Sequence, residues 1–345
     1  MKRWLVISVL LLVVLTGAIL LDSCKKSLGL ATPHPLQFTV PPGFPPPVYS
    51  FQNNPLTEEG FLLGRKLFYD GRLSIDGNYP CASCHQPVAA FTTFEHDRSH
   101  GYNHSHTLRN APGLFNLAWY PVYTQDGSTQ SLETIYINHI TNPNEMAETI
   151  PDVISKLKKD TAYKRMFREA FGDETINPDR LYRALSQFVI NLVSADSKFD
   201  RVLQGKESFT PEEQSGYNTF LDKCTGCHSG ALLTDFAYRN VGLPIDPNLK
   251  DYGRMRVSGN PDDSLKFRTP SLRNVELTSY YEHDGRFTLP RDVLRHYEKG
   301  VQSGPTLDPA MQNGIPLTIS EENNLVFFLR TLSDSSFLNN PRFRE

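Results

Sequence analysis

Apolar positions fall into three regimes along the chain. From Trp4 to Leu21 they are nearly continuous, broken only by Ser8, Thr16 and Gly17, behind a basic Lys2-Arg3 start. A run of this length sits at the boundary between a cleaved export signal and a membrane span. No later segment is apolar enough to cross a bilayer. From Lys25 to about Phe51 the chain is polar and rich in proline, including Pro33, Pro35, Pro41, Pro42, Pro45, Pro46 and Pro47. Proline fixes φ and lacks a backbone donor, so this reads as an extended tether outside the core. A strap lying on the folded body is the alternative. Beyond it the apolar period is helical. Leu181, Leu185, Phe188, Val189, Leu192 and Val193 mark one face over Pro178–Leu203, and segments 150–171, 289–299 and 319–332 read the same way. Few stretches alternate with period two, so the expected class is all-α.

Composition narrows the picture. The 345 residues leave room for two domains of roughly 150 each. Lys+Arg number 35 against 38 Asp+Glu, a net charge of −3, so no basic excess exists to neutralise a nucleic acid. The cysteine count is odd, at 5, which does not suit a simple disulfide framework. One of them, Cys24, follows Leu21-Asp22-Ser23 and resembles a bacterial lipobox. That reading makes 1–23 a signal peptide of the lipoprotein type, puts lipid on Cys24 and makes 24–50 a Pro-rich linker. Plain secretion and an uncleaved anchor are the alternatives, and all three export the chain.

The other four cysteines lie in two motifs, Cys81-Ala82-Ser83-Cys84-His85 and Cys224-Thr225-Gly226-Cys227-His228. C-x-x-C-H is the attachment signature of c-type haem. Two cysteines three apart share a face of a helical turn and reach the two porphyrin vinyl groups. The following His then meets the iron as proximal ligand. A zinc site would not need a His after each pair, and a redox dithiol would follow a βαβ pattern that is absent here. The expectation is two covalent haem c groups.

The surroundings of the motifs repeat. Before the first come Thr57-Glu58-Glu59-Gly60 and apolar Phe61, Leu62, Leu63, Leu67 and Phe68. Before the second come Thr210-Pro211-Glu212-Glu213, then Tyr217, Phe220 and Leu221. Both read as a Thr-capped helix with an acidic first turn. After them come Leu108-Arg109-Asn110 and Leu272-Arg273-Asn274, then Asp126-Gly127 and Asp284-Gly285. The chain thus reads as two copies of one haem-binding unit, 51–205 and 206–345.

Together, CASCH, SHG at 99–101, LRNAP at 108–112, ITNPNEM at 140–146, CTGCH, TPSLRNVELT at 269–278 and HDGRF at 283–287 resemble the bacterial di-haem cytochrome c peroxidase family, which includes the MauG branch. The resemblance covers about residues 51–345 and implies two tandem cytochrome c-like domains. It implies a periplasmic enzyme taking electrons from a small cytochrome c or cupredoxin at the C-terminal haem. Hydrogen peroxide would be reduced at the N-terminal haem. Such a chain would meet the membrane through its lipid, with a homodimer left open.

The resemblance also implies roles for single residues. His100 matches a loop His that caps the N-terminal iron at rest, although His96, His104 and His106 lie close by and the cluster also suits a metal site or a plain polar loop. Glu145 matches the distal acid–base; as a bare sequence it could equally be a helix-start Glu behind Asn142. At the C-terminal haem, Tyr297 resembles the MauG-branch ligand, with His296, Met255 and Met311 as alternatives. Calcium would be held by Asn110 and by the carbonyls of Thr278 and Tyr280. Two departures stand out. Gln125 occupies a place where many relatives have Trp between the haems, and Ile135 one where they often have Gln. Trp119 lies seven residues before Asp126. Two rivals follow: a MauG-like enzyme oxidising a protein or organic substrate, and an electron-transfer cytochrome with both irons six-coordinate.

Overall fold

The computed structural model describes residues 32–345; the apolar leader and Cys24 lie outside the described residues. The body is mostly helical. The helices are α1 (Glu58–Tyr69), α2 (Cys81–Cys84), α3 (Leu132–Ile140), α4 (Ile150–Lys158), α5 (Thr161–Phe171), α6 (Pro178–Ile190), α7 (Lys198–Leu203), α8 (Pro211–Lys223), α9 (Met255–Ser258), α10 (Pro290–Arg295), α11 (Ile319–Arg330) and α12 (Ser335–Leu338). Strand β1 (Tyr238–Arg239) pairs antiparallel with β2 (Phe267–Arg268), setting Tyr238 opposite Arg268. No helix among the described residues is long and apolar enough to cross a membrane.

Two helix pairs carry the packing. The Thr57 side chain caps α1, and α1 lays Phe61, Leu67 and Phe68 against α6. A Cβ on Gly64 would fall 1.9 Å from the Ala184 carbonyl oxygen, so this close crossing requires glycine. The pair α8 and α11 repeats the device. Both helices start with a capping box, Thr210 with Glu213 and Thr318 with Glu321. A Cβ on Gly216 would fall 1.9 Å from the Asn324 carbonyl oxygen. The first core is built on Phe61, Phe68, Phe91, Phe167 and Phe188, and it takes in Phe337 and Phe343 from the C-terminal end. The second is smaller, around Phe199, Phe220, Leu325 and Phe328.

Four expectations need correction. The helix expected over Pro178–Leu203 ends at Ile190. Asp334 accepts hydrogen bonds from the Ser194 hydroxyl and the Ala195 and Asp196 amides, and Asn116 grips Ser194 from both sides, which holds the chain extended before α7. Segment 150–171 divides into α4 and α5, because Asp160 leaves the helical form and its side chain caps α5 by accepting from the Ala162 amide. Segment 289–299 leaves the α form at Arg295 and continues as a π-helical turn over His296–Gly300.

The fourth is the Pro-rich linker, which from His34 onward is a strap on the body. The Leu36 amide bonds the Leu56 carbonyl, and Val48 and Tyr49 bond Ala118. Phe44 is core, edge-on to Trp119 at 5.0 Å, and the Trp119 indole donates to the Pro45 carbonyl at 2.6 Å. Burying one Phe contributes about 2 kcal/mol, and a proline-rich chain loses little freedom on docking.

Candidate functional site: two CxxCH turns

Both motifs close the same way. The His85 amide bonds the Cys81 carbonyl at 3.0 Å, and the His228 amide bonds Cys224 at 2.9 Å. Each turn therefore sets two thiols and one imidazole on a common face. None of the four cysteines is in a disulfide. Burial pushes the Cys81 and Cys224 thiols up to about 12, the opposite of an activated redox dithiol.

The imidazoles are fixed alike. His85 Nδ1 donates to the Phe91 carbonyl at 2.9 Å, and His228 Nδ1 to Leu233 at 3.2 Å. A carbonyl only accepts, so Nδ1 carries the proton in each ring and Nε2 keeps a free lone pair. Burial pulls His85 down to about 4 and lowers His228. Both are therefore neutral donors at physiological pH, the state an iron ligand requires.

A cavity of about 300 Å³ is lined by Cys224, Cys227 and His228 and extends to Thr92 and Asn110–Gly113 of the first half. Its walls also carry Arg239, Arg268 and Arg273, and the Arg239 Nε and Arg268 Nη1 atoms there are buried without partners. A flat apolar cofactor with anionic edges suits this lining. The residues present at the second turn fit haem.

The open side of the first turn is built by a loop docked on the 142–146 turn. The Tyr102 amide bonds the Glu145 carbonyl at 2.8 Å, and Ser105 Oγ donates to Asn144 at 3.0 Å. A Cβ on Gly101 would lie 2.0 Å from the Asn144 oxygen, so only glycine allows this approach. The docking holds His100 beside the motif, its carbonyl 3.9 Å from Cys84 Sγ. The His100 ring is exposed and lies 4.2 Å from His96 and 4.5 Å from His106, centroid to centroid. No group of His, Cys, Asp or Glu able to hold a metal ion forms among the described residues.

Glu145 lies near enough for its charge to act on Cys81, Cys84 and His85. Its carboxylate accepts from His139 Nδ1 at 2.6 Å and from Asn142 Nδ2 at 2.8 Å. Burial lowers His139, but the Glu145 hydrogen bond and charge outweigh it and raise its pKa. His139 was not singled out in the sequence. Its signal was its place in the last turn of α3, six residues before Glu145.

The second turn faces a different partner. Tyr297 lines the cavity together with His228, Cys224 and Cys227. It stands in the π-helical turn, a distortion that often marks functional positions. Its hydroxyl donates to Glu282 at 3.4 Å, and burial with the nearby Asp284 charge pushes the Glu282 carboxyl up to about 7. Met311 is buried on the same lining. His296 instead spends its Nε2 on the Val241 carbonyl at 2.9 Å, and neither it nor Met255 lines the cavity.

The remaining candidates gather between the halves. Asn110, Thr278 and Tyr280 share the cavity lining, and Asn110 Nδ2 donates to the Asp97 carbonyl at 2.9 Å. Gln125 lines the cavity too, while Trp119 is committed to the strap. Arg109, next to Asn110, ties Asp126 at 2.7 Å to Asp251 at 2.5 Å across the junction.

A mostly helical fold with two matched CxxCH turns and unlike open sides defines a class of paired-site c-type cytochrome proteins. Comparison narrows it: the chain belongs to the di-haem cytochrome c peroxidase family, whose model matches residues 58–208. It is 32% identical over 303 residues to the methylamine utilization protein MauG of Methylophilus methylotrophus, covering 86% of this chain and 88% of that protein. It is 35% identical over 227 residues to the cytochrome c551 peroxidase of Nitrosomonas europaea, covering 65% and 68%. The crystal structure of a MauG-like protein associated with microbial copper homeostasis matches with TM-score 0.81 at 32% identity, over 89% of this chain and 98% of that one.

Proposed function

We propose that this protein reduces hydrogen peroxide to water, with electrons entering at the C-terminal haem and used at the N-terminal haem. Each half, 51–205 and 206–345, would hold one haem c, the first through Cys81, Cys84 and His85 and the second through Cys224, Cys227 and His228. Bound haem would pass on the electrons of the donor and supply the electrophilic centre. One peroxide takes up two electrons and two protons and leaves as two waters.

The observation that carries the reading is the Glu145 carboxylate, held by His139 and Asn142 beside the first turn. Glu145 takes the proton from the near peroxide oxygen and returns it to the leaving one. His139 holds the carboxylate in place and feeds it protons. His100 stands at the entrance as the residue that must leave for peroxide to enter. Asn110 with the Thr278 and Tyr280 carbonyls holds calcium between the halves, and the donor is a small redox protein. Cys24 carries the lipid that tethers the exported chain.

A second reading, oxidation of a protein or organic substrate, is favoured by Tyr297 on the cavity lining and by Gln125 in place of Trp. Stopped-flow mixing of the half-reduced, calcium-loaded protein with peroxide and excess reduced cytochrome c separates the readings. Rapid repeated oxidation of the donor supports the peroxidase. A long-lived oxidised product with little donor consumption supports the second reading. No spectral response leaves an electron carrier and overturns both.

A further inference from the structure

Two arginines are buried among the described residues, and they are treated oppositely. Arg273 makes a two-pronged ion pair with Asp200, at 2.7 and 2.9 Å, and donates to the Ala231 carbonyl. Arg268 is 7% exposed and pairs with no carboxylate among the described residues. Its backbone amide bonds the Gln125 carbonyl at 2.8 Å, and its Nε reaches the Thr124 carbonyl only at 3.5 Å. Its guanidinium lies over the Tyr120 ring at 4.6 Å, and its Nη1 has no partner.

The other cavity cations are matched: Arg239 by Asp235 and Asp308, Lys223 by Glu321. A guanidinium cannot shed its charge as a buried lysine can. Leaving it buried and unpaired is costly. The missing counter-charge must therefore come from something bound in the cavity that Arg268 lines. The group must be anionic, and the planar fork of arginine suits a carboxylate.

We propose that Arg268 is a carboxylate clamp: it takes a propionate of a haem held at one of the two CxxCH turns and raises that haem's reduction potential. The clamp rests on the reading that both turns carry haem. β2 presents Arg268 to the cavity, while Tyr120 and the Gln125 carbonyl of the first half fix its position. It stands beside Gln125 on the wall of the same cavity as Cys224, Cys227 and His228.

The test uses the full chain with haem attached, as wild type, Arg268→Gln and Arg268→Lys. Haem content is read by pyridine haemochrome, the two potentials by spectroelectrochemical titration, and propionate contact by the propionate bending bands in resonance Raman spectra. Arg268→Gln should keep two haems, lower one potential and shift that haem's propionate band; the haem that responds is the one whose propionate is held. Arg268→Lys should restore part of the potential but not the band, because an ammonium cannot bind two-pronged. Unchanged potentials and bands in Arg268→Gln would overturn the clamp. If Arg268→Gln does not accumulate, wild-type bands in Arg268→Lys overturn it equally. A wild-type chain without covalent haem would sink the haem reading, and this proposal with it.

Discussion

The two CxxCH turns are alike behind the imidazole and unlike in front of it. Behind, each His donates Nδ1–H to a backbone carbonyl five or six residues on. In front, the first turn meets Glu145 braced by His139 and Asn142, with an exposed His100 on a docked loop. The second meets Tyr297 on the wall of the cavity, backed by the raised carboxyl of Glu282. The two turns share what would bind a cofactor and differ in what that cofactor would touch. Axial ligand and surrounding polarity separate oxygen chemistry from electron transfer at a haem. A polar, proton-supplying front suits the first role and an enclosed phenol the second.

The comparison can be broken most drastically at the sulfurs. Replacing Cys81 and Cys84 by Ser, or Cys224 and Cys227 by Ser, should each remove one covalent haem of two, read by pyridine haemochrome. An unchanged haem count in either double variant would end the equivalence of the turns. Next, Glu145→Gln should cut peroxide turnover by about 10²–10⁴-fold while both haem spectra stay as in wild type. His139→Ala removes a charge-assisted hydrogen bond, an effect of about 1.5–3 kcal/mol, so turnover should fall by less than in Glu145→Gln. A full-sized loss would move the proton exchange with peroxide from Glu145 to His139.

Tyr297→Met should raise the potential of the C-terminal haem and leave peroxide reactivity at a pre-reduced first site unchanged; an unmoved potential would remove Tyr297 from the iron. The smallest effect concerns the strap. The hydrogen bond to Glu59 and its charge raise the pKa of exposed His34. The raised folded value means this contribution is fully present below the ordinary imidazole value and lost as pH rises from there through the raised one. Protection of the Glu58 amide, which bonds the His34 carbonyl, should fall modestly on the alkaline side once the intrinsic pH dependence of exchange is divided out. His34→Ala should abolish that difference.

Much of the candidate site was legible because its spacing is local. C-x-x-C-H closes a turn through bonds between residues four apart, so the sequence alone dictates two thiols and an imidazole on one face. Thr57 and Thr210 with the acids behind them mark helix starts for the same reason. What crosses the molecule was not legible. The helix from Pro178 has unbroken periodicity past Ile190, and contacts with Asn116 and Asp334, both far along the chain, hold the following segment extended. The strap reads as a tether because nothing local shows that Phe44 will meet Trp119.

Propensity, capping and the haem-binding turns are short-range properties written directly in the residues. Which side chain stands before each turn, His139 behind Glu145 or Tyr297 rather than His296 on the cavity wall, depends on contacts between distant segments. The π-helical turn at His296–Gly300 accompanies that last choice. It is a detail of packing that no periodicity encodes.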